Sequence, residues 1–169
     1  MKDFGNRRFR IGESSFEVKL VYTGFLIFAF LGYFTIALLG FLRVGPGYGA
    51  IVTHYRGSEL EEAALPRPIG QMLEEAHFHA FIEGVILLVL SHLFAATGLN
   101  ARLKIWIIVL AFGSTLSDLA CPWLIQYVAP GFAALQIVSW IVMGATALIM
   151  IAVPLYEMWG SGSRARPES

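Results

Sequence analysis

Charge and cysteine are what this sequence has least of. Only 14% of its 169 residues are charged, against roughly a quarter in ordinary soluble domains. Twelve Lys and Arg balance twelve Asp and Glu, so no net field draws the chain to nucleic acid or to an anionic surface. The single cysteine, Cys121, excludes an intrachain disulfide framework and any Cys-only metal site within one chain. There is no Cys-x-x-Cys-His, no His-Glu-x-x-His and no Gly-x-Ser-x-Gly, which leaves covalent cytochrome, zinc protease and serine hydrolase without support. The Gly-Pro-Gly-Tyr-Gly run at Gly45–Gly49 has no Gly-Lys-Ser/Thr after it, so it reads as turns and not as a phosphate cradle.

What is abundant is apolar surface, 57% of the residues. Four runs meet the requirement of about 17–25 mostly apolar residues for a helix crossing a ~30 Å hydrocarbon core: about Val21–Leu42, Phe78–Thr97, Ile105–Tyr127 and Phe132–Met158. Backbone polar groups in lipid must be paired internally. Continuous runs such as Val85–Phe94 therefore predict helices, and the chain is too short for a barrel of at least eight strands. The expected architecture is an all-α bundle of four transmembrane helices, one integral membrane domain over residues 1–169.

Lys2, Arg7, Arg8, Arg10, Lys19, Arg102, Lys104, Arg164 and Arg166 fall on one side of these spans, and Arg43, Arg56 and Arg67 on the other. This asymmetry predicts cytoplasmic N- and C-termini. The loop at about 43–74, acidic through Glu59, Glu61, Glu62 and Glu74, is then extracytoplasmic. The first span, behind a charged arm, reads as an uncleaved anchor. Phe4, Phe9, Ile11 and Phe16 in the arm fit either a surface-lying segment or a simple tail.

Ionisable residues inside a membrane are costly, about 2.5–3.5 kcal/mol at a helix centre, and by default mark function. Here they are Glu83 and His92 on the second span, behind Glu75, His77 and His79 at its start, and Asp118 on the third. Glu75, His79 and Glu83 follow at i, i+4 and i+8, on one helical stripe. Gln136 and Ser139 on the fourth span lie at similar depth. Small residues at i+4 spacing, Ala76, Ala80 and Gly84 on one helix and Gly113, Ser117 and Cys121 on the next, predict close-packed seams beside the acids. Glu83, Asp118 and His79 are accordingly expected to share one interior site in the outer half of the bilayer. Two carboxyls in a low-dielectric pocket do not both ionise readily, and a neighbouring imidazole exchanges their proton. That composition fits quinone chemistry or a proton relay; its bland counterpart is a hydrogen-bonded pair that only holds helices together.

Two further readings stay open. His79, Glu83, Asp118 and Cys121 carry possible metal-ligand atoms, although nothing in their spacing fixes a coordination set. His77 and His92, about 22 Å apart along one helix at 1.5 Å per residue, lie at depths reminiscent of stacked b-type haems, with Met150 as a possible axial partner.

His54-Tyr55-Arg56-Gly57-Ser58 in the first loop, followed by Glu75-Ala76-His77-Phe78-His79, resembles a group of uncharacterised four-helix bacterial inner-membrane proteins with a Tyr-x-Gly loop before a His-x-His helix. The resemblance implies a bacterial inner membrane and the company of respiratory cytochromes, and identifies no reaction. The expectation is a subunit or partner of a respiratory electron-transfer complex, with other membrane or periplasmic redox subunits as partners and a quinone- or proton-handling site. The alternatives are a structural or assembly protein, a haem b-binding subunit, and a small metal or proton carrier.

Overall fold

The computed structural model describes residues 10–58 and 65–160. The arm residues Lys2, Phe4, Arg7, Arg8 and Phe9, the loop acids Glu59, Glu61 and Glu62, and Arg164 and Arg166 lie outside the described residues. A 3-10 turn at Ile11–Glu13 precedes five α-helices: α1 Phe16–Arg43, α2 Tyr48–Arg56, α3 Ile69–Ala95, α4 Ala101–Tyr127 and α5 Phe132–Trp159. No strand occurs among the described residues. All but α2 are long and apolar enough to cross a membrane, so the fold is an all-α, four-span bundle.

The short links between α3 and α4 and between α4 and α5 force antiparallel neighbours. The pair α4 and α5 shares the most extensive contact, while α1 packs chiefly on α5. An apolar core fills the half of the bundle nearest the chain ends. It joins Leu26 and Ala29 of α1, Leu87, Leu90, Leu93 and Phe94 of α3, Ile107 and Ala111 of α4, and Met150, Ile151 and Met158 of α5. Ile11 is fully buried in this core, and its N–H donates to the carbonyl of Ala96 at 3.1 Å. Residues 10–15 are thus neither a loose tail nor a surface-lying segment. They dock under the bundle, where Gly12 permits the approach: a Cβ there would lie 3.1 Å from the carbonyl oxygen of Glu157. Lys19 donates to the carbonyl of Met158 at 3.0 Å and Lys104 to those of Ala95 and Thr97 at 2.7 and 2.9 Å, satisfying carbonyls that a helix end leaves without partners.

Three expectations change. The first loop contains a helix, α2, where the Gly45–Gly49 run predicted only turns. Gly47 is its N-cap, and Gly57 ends it at φ 77°, ψ −176°, a region open essentially to glycine alone. Helix α3 starts at Ile69 and not near Phe78, because Pro68 delivers the chain in extended conformation and nothing after it breaks the helix. Glu83 therefore lies about 21 Å along the axis from the helix start at ~1.5 Å per residue, near the middle of α3 and not about five to seven residues from its outer end. Finally, Gly84 and Gly113 are exposed, with nothing within 4 Å of a Cβ built on either. The small-residue seams are not the contact between α3 and α4. The large side chains Leu87, Leu90, Leu93 and Phe94 meet Ile107 and Ala111 instead.

Candidate functional site

At the α2 end of the bundle the helices diverge around a cavity of about 380 Å³, within the 300–1,000 Å³ range of small-molecule sites. Helix α3 presents Glu75, His79 and Glu83 along one wall, and α4 adds Asp118. Tyr33 of α1 and Trp140 of α5 line the cavity beside them. Glu83, Asp118 and His79 thus border one space, as residues on three turns of α3 and a facing helix.

The two acids are held differently. Glu83 is 6% exposed. Its Oε1 pairs with His79 Nδ1 at 2.9 Å, while its Oε2 is buried without a hydrogen-bond partner. An unpaired buried carboxylate oxygen costs about 1–3 kcal/mol or more, so this atom is a reserve of unused bonding capacity on the cavity. Asp118 Oδ1 accepts from Trp140 Nε1 at 2.7 Å and from Gln136 Nε2. These donors sit at i and i+4 on α5 and fix the aspartate side chain between α4 and α5. Pro122 has no N–H to give the carbonyl of Asp118 four residues earlier, so the α4 backbone is loosened beside the acid while the helix runs on to Tyr127.

Arg67 closes the α2 end. Its N–H donates to the carbonyl of Tyr55 at 3.1 Å and its own carbonyl accepts from Gln126 at 3.0 Å. Its guanidinium ion-pairs with Glu75, donates to His54 Nε2 at 3.1 Å, and stands 5.9 Å from the centre of the Tyr55 ring. Arg56 donates to the carbonyl of Ile125 at 3.2 Å. Burial pushes His54 below its ordinary value of 6.5, the Arg67 charge adds to the effect and Glu75 partly offsets it. Burial likewise raises the Tyr55 hydroxyl to about 12, with Arg67 opposing and Asp118 and Glu75 adding to the rise. Both groups are neutral near pH 7, which suits an imidazole that accepts a hydrogen bond from a guanidinium.

Other sequence candidates are placed elsewhere. His77 and His92 are exposed and Met150 is fully buried in the apolar core; none of the three lines the cavity. They do not fit a haem ligand pair. Cys121, fully buried, packs with Ile51, Tyr55, Ile125 and Ala133, away from Glu83. Among the described residues no three His, Cys, Asp or Glu side chains converge as a metal site, so the His79, Glu83, Asp118 and Cys121 set does not assemble. Ser139 bonds the carbonyl of Leu135 on its own helix at 2.9 Å.

Sequence reasoning passed over Arg67, His54, Tyr55, Tyr33 and Trp140. Two signals were available: Arg67 lies between Pro66 and Pro68, which restrict the backbone around it, and Trp140 follows Gln136 by one helical turn.

A family model described as a transmembrane helical domain matches residues 45–165, the stretch from the start of the first loop through α5. No curated protein and no solved structure matches the chain. The match carries the small, helical, multi-span part of the resemblance read from the sequence and not its narrower group or motifs.

Proposed function

The chain belongs to the family of this transmembrane helical domain, and from that premise we propose that it is a quinone- and proton-handling subunit or partner of a respiratory electron-transfer complex. The observation that carries the reading is Glu83. It is a buried carboxyl near the middle of α3, paired to His79 through one oxygen and unpartnered at the other, on a cavity walled by aromatic and aliphatic side chains. A quinone site needs apolar walls for the ring and tail, a hydrogen-bonding group at a quinone oxygen, and an acceptor for the protons that the quinol form releases. Glu83 Oε2 accepts from a quinol hydroxyl when the carboxyl is ionised and donates to a quinone carbonyl when it carries the proton. The His79–Glu83 pair takes a proton when a quinol gives up two protons and two electrons, Asp118 takes the second, and the electrons pass to a redox partner subunit. The charge asymmetry of the sequence supports α2 on the extracytoplasmic side, and the resemblance of its motifs supports a bacterial inner membrane.

The test is organic extraction of the protein purified in detergent, with quinone measured by chromatography against protein. The expected result is close to one quinone per chain in the wild type and a marked loss in Glu83→Leu. Wild-type protein free of quinone in a quinone-containing membrane would contradict the reading.

A second reading, a structural or assembly role, is favoured by one observation. Asp118 is engaged by two donors across the most extensive helix contact of the fold, as a group that only specifies pairing would be. It accounts for Asp118 and leaves the free oxygen of Glu83 without a purpose.

A further inference from the structure

We infer that the membrane site exchanges protons with the α2 side of the bilayer only, along Glu75, His79 and Glu83, and is closed to the opposite side. The inference rests on the cavity being a proton-handling site and adds its direction. Three placements carry it.

First, the three residues occupy successive turns of one stripe of α3 and border the same cavity. Glu75 is exposed at its rim and Glu83 is buried at its floor, with His79 between and already bonded to Glu83 at 2.9 Å. Each step is one helical turn, about 5.4 Å, a spacing that one rotating side chain or one water spans. Second, the unpartnered Oε2 of Glu83 gives the ladder a terminus: a proton arriving through His79 has a buried oxygen able to hold it. Third, the core from Leu87 to Phe94 on α3, with Ile107, Met150 and Met158 facing it, buries apolar side chains only; Tyr22 and Tyr33 of α1 pack at its side, and His92 of α3 is exposed outside it. Of the buried hydroxyls around it, Ser114 is turned to Ala111 and Thr146 to Val142 and Met143 on their own helices, while those of Tyr33, Ser91 and Thr115 have no hydrogen-bond partner. A proton at Glu83 has titratable neighbours toward α2 and apolar packing below.

The titratable and charged groups that line the cavity with Glu83 are Tyr33 and Arg43 from α1, His54 and Tyr55 from α2, Arg67 from the loop, Glu75 and His79 from α3, and Asp118 from α4. Helix α5 offers Trp140 there, which does not titrate, and Gln136 donates to Asp118. Arg67 stands at the rim, where its guanidinium ion-pairs with Glu75.

The experiment uses dicyclohexylcarbodiimide, a lipid-soluble reagent that modifies protonated carboxyls. Full-length protein in sealed membrane vesicles is labelled while the pH on each side is set independently, and modified sites are read by peptide mass spectrometry. Thiol labelling of Tyr48→Cys reports which side α2 faces. The expected result is modification of Glu83 that is lost as the α2-side pH is raised and does not follow the pH of the other side. Labelling that follows the opposite side, or both sides equally, would overturn the inference, as would wild-type protein in which Glu83 is never modified. Quinone content is read separately. Protein without quinone but with one-sided labelling keeps the route and removes only the quinone; quinone present with two-sided labelling does the reverse.

Discussion

Replacing Gly57 with alanine places a Cβ where φ is 77° and ψ is −176°, at a cost of about 1–3 kcal/mol. The expected outcome is a lower Tm and a loosened end of α2, measured by thermal unfolding in detergent. This explains the Tyr-x-Gly sequence physically. Tyr55 is buried under Arg67, Arg56 reaches across to α4, and only glycine ends the helix between them and the loop. The tryptophans give a sharper comparison. Trp140→Phe removes a donor to Asp118 and should destabilise by about 1–3 kcal/mol, as for a hydrogen bond to a buried carboxyl. Trp123 stacks on Tyr127 with ring centres 6.1 Å apart, and Trp123→Phe keeps that stacking, so its Tm should change less. Equal losses in the two variants would contradict the role given to Asp118 as the tie between α4 and α5.

Among the elements, α3 packs on α4 through large side chains, and this has a direct consequence. Gly84→Ala and Gly113→Ala should leave Tm unchanged or raise it, because each new methyl meets open space and alanine favours the helix by about 0.5–1 kcal/mol over glycine. A fall in Tm would restore the small-residue seam. The four spans were legible because an apolar run of that length has few alternatives in a chain that cannot leave backbone groups bare. Their ends were less so: α3 begins at Ile69 because Ile69–His77, with Gln71, Glu74 and Glu75 in it, is still a helix when proline delivers it. Helix α2 was hidden by its glycines, which mark helix ends as readily as turns. Within the site, the i, i+4, i+8 stripe of Glu75, His79 and Glu83 was readable from the sequence. The latch made by Arg67 was not, since its partners come from α2, α3 and α4 and only folding brings them together.

That latch is pH-sensitive. His54 titrates below its ordinary value of 6.5 in the folded protein, so the undocked form binds a proton more readily than the docked one. Docking is fully present above about 6.5 and weakens as pH falls through that value toward the depressed one. The amide of Arg67, bonded to Tyr55, should exchange hydrogen faster as pH drops through this range, after correction for intrinsic exchange. His54→Gln, which still accepts from Arg67 and does not titrate, should flatten the response. An unchanged response in that variant would contradict the assignment.

At the scale of the whole molecule the protein is divided across its thickness. The half nearest the chain ends is an apolar plug stapled by Ile11, Lys19 and Lys104. The α2 half holds the cavity, both membrane acids and the arginine latch. The plug ties α1, α3, α4 and α5 together at one end, and at the other the cavity lies beside an α4–α5 pair held by Asp118, Gln136 and Trp140. The account stands on that cavity binding a quinone against Glu83. Trp123 and Trp140 line it, and a bound quinone quenches indole fluorescence. Titrating the protein in nanodiscs with a short-chain quinone should therefore give saturable quenching. Trp123→Phe with Trp140→Phe should abolish that component, and Glu83→Leu should weaken binding about tenfold, the roughly 1.4 kcal/mol of one hydrogen bond. Quenching that never saturates, or that persists unchanged without Trp123 and Trp140, would contradict it.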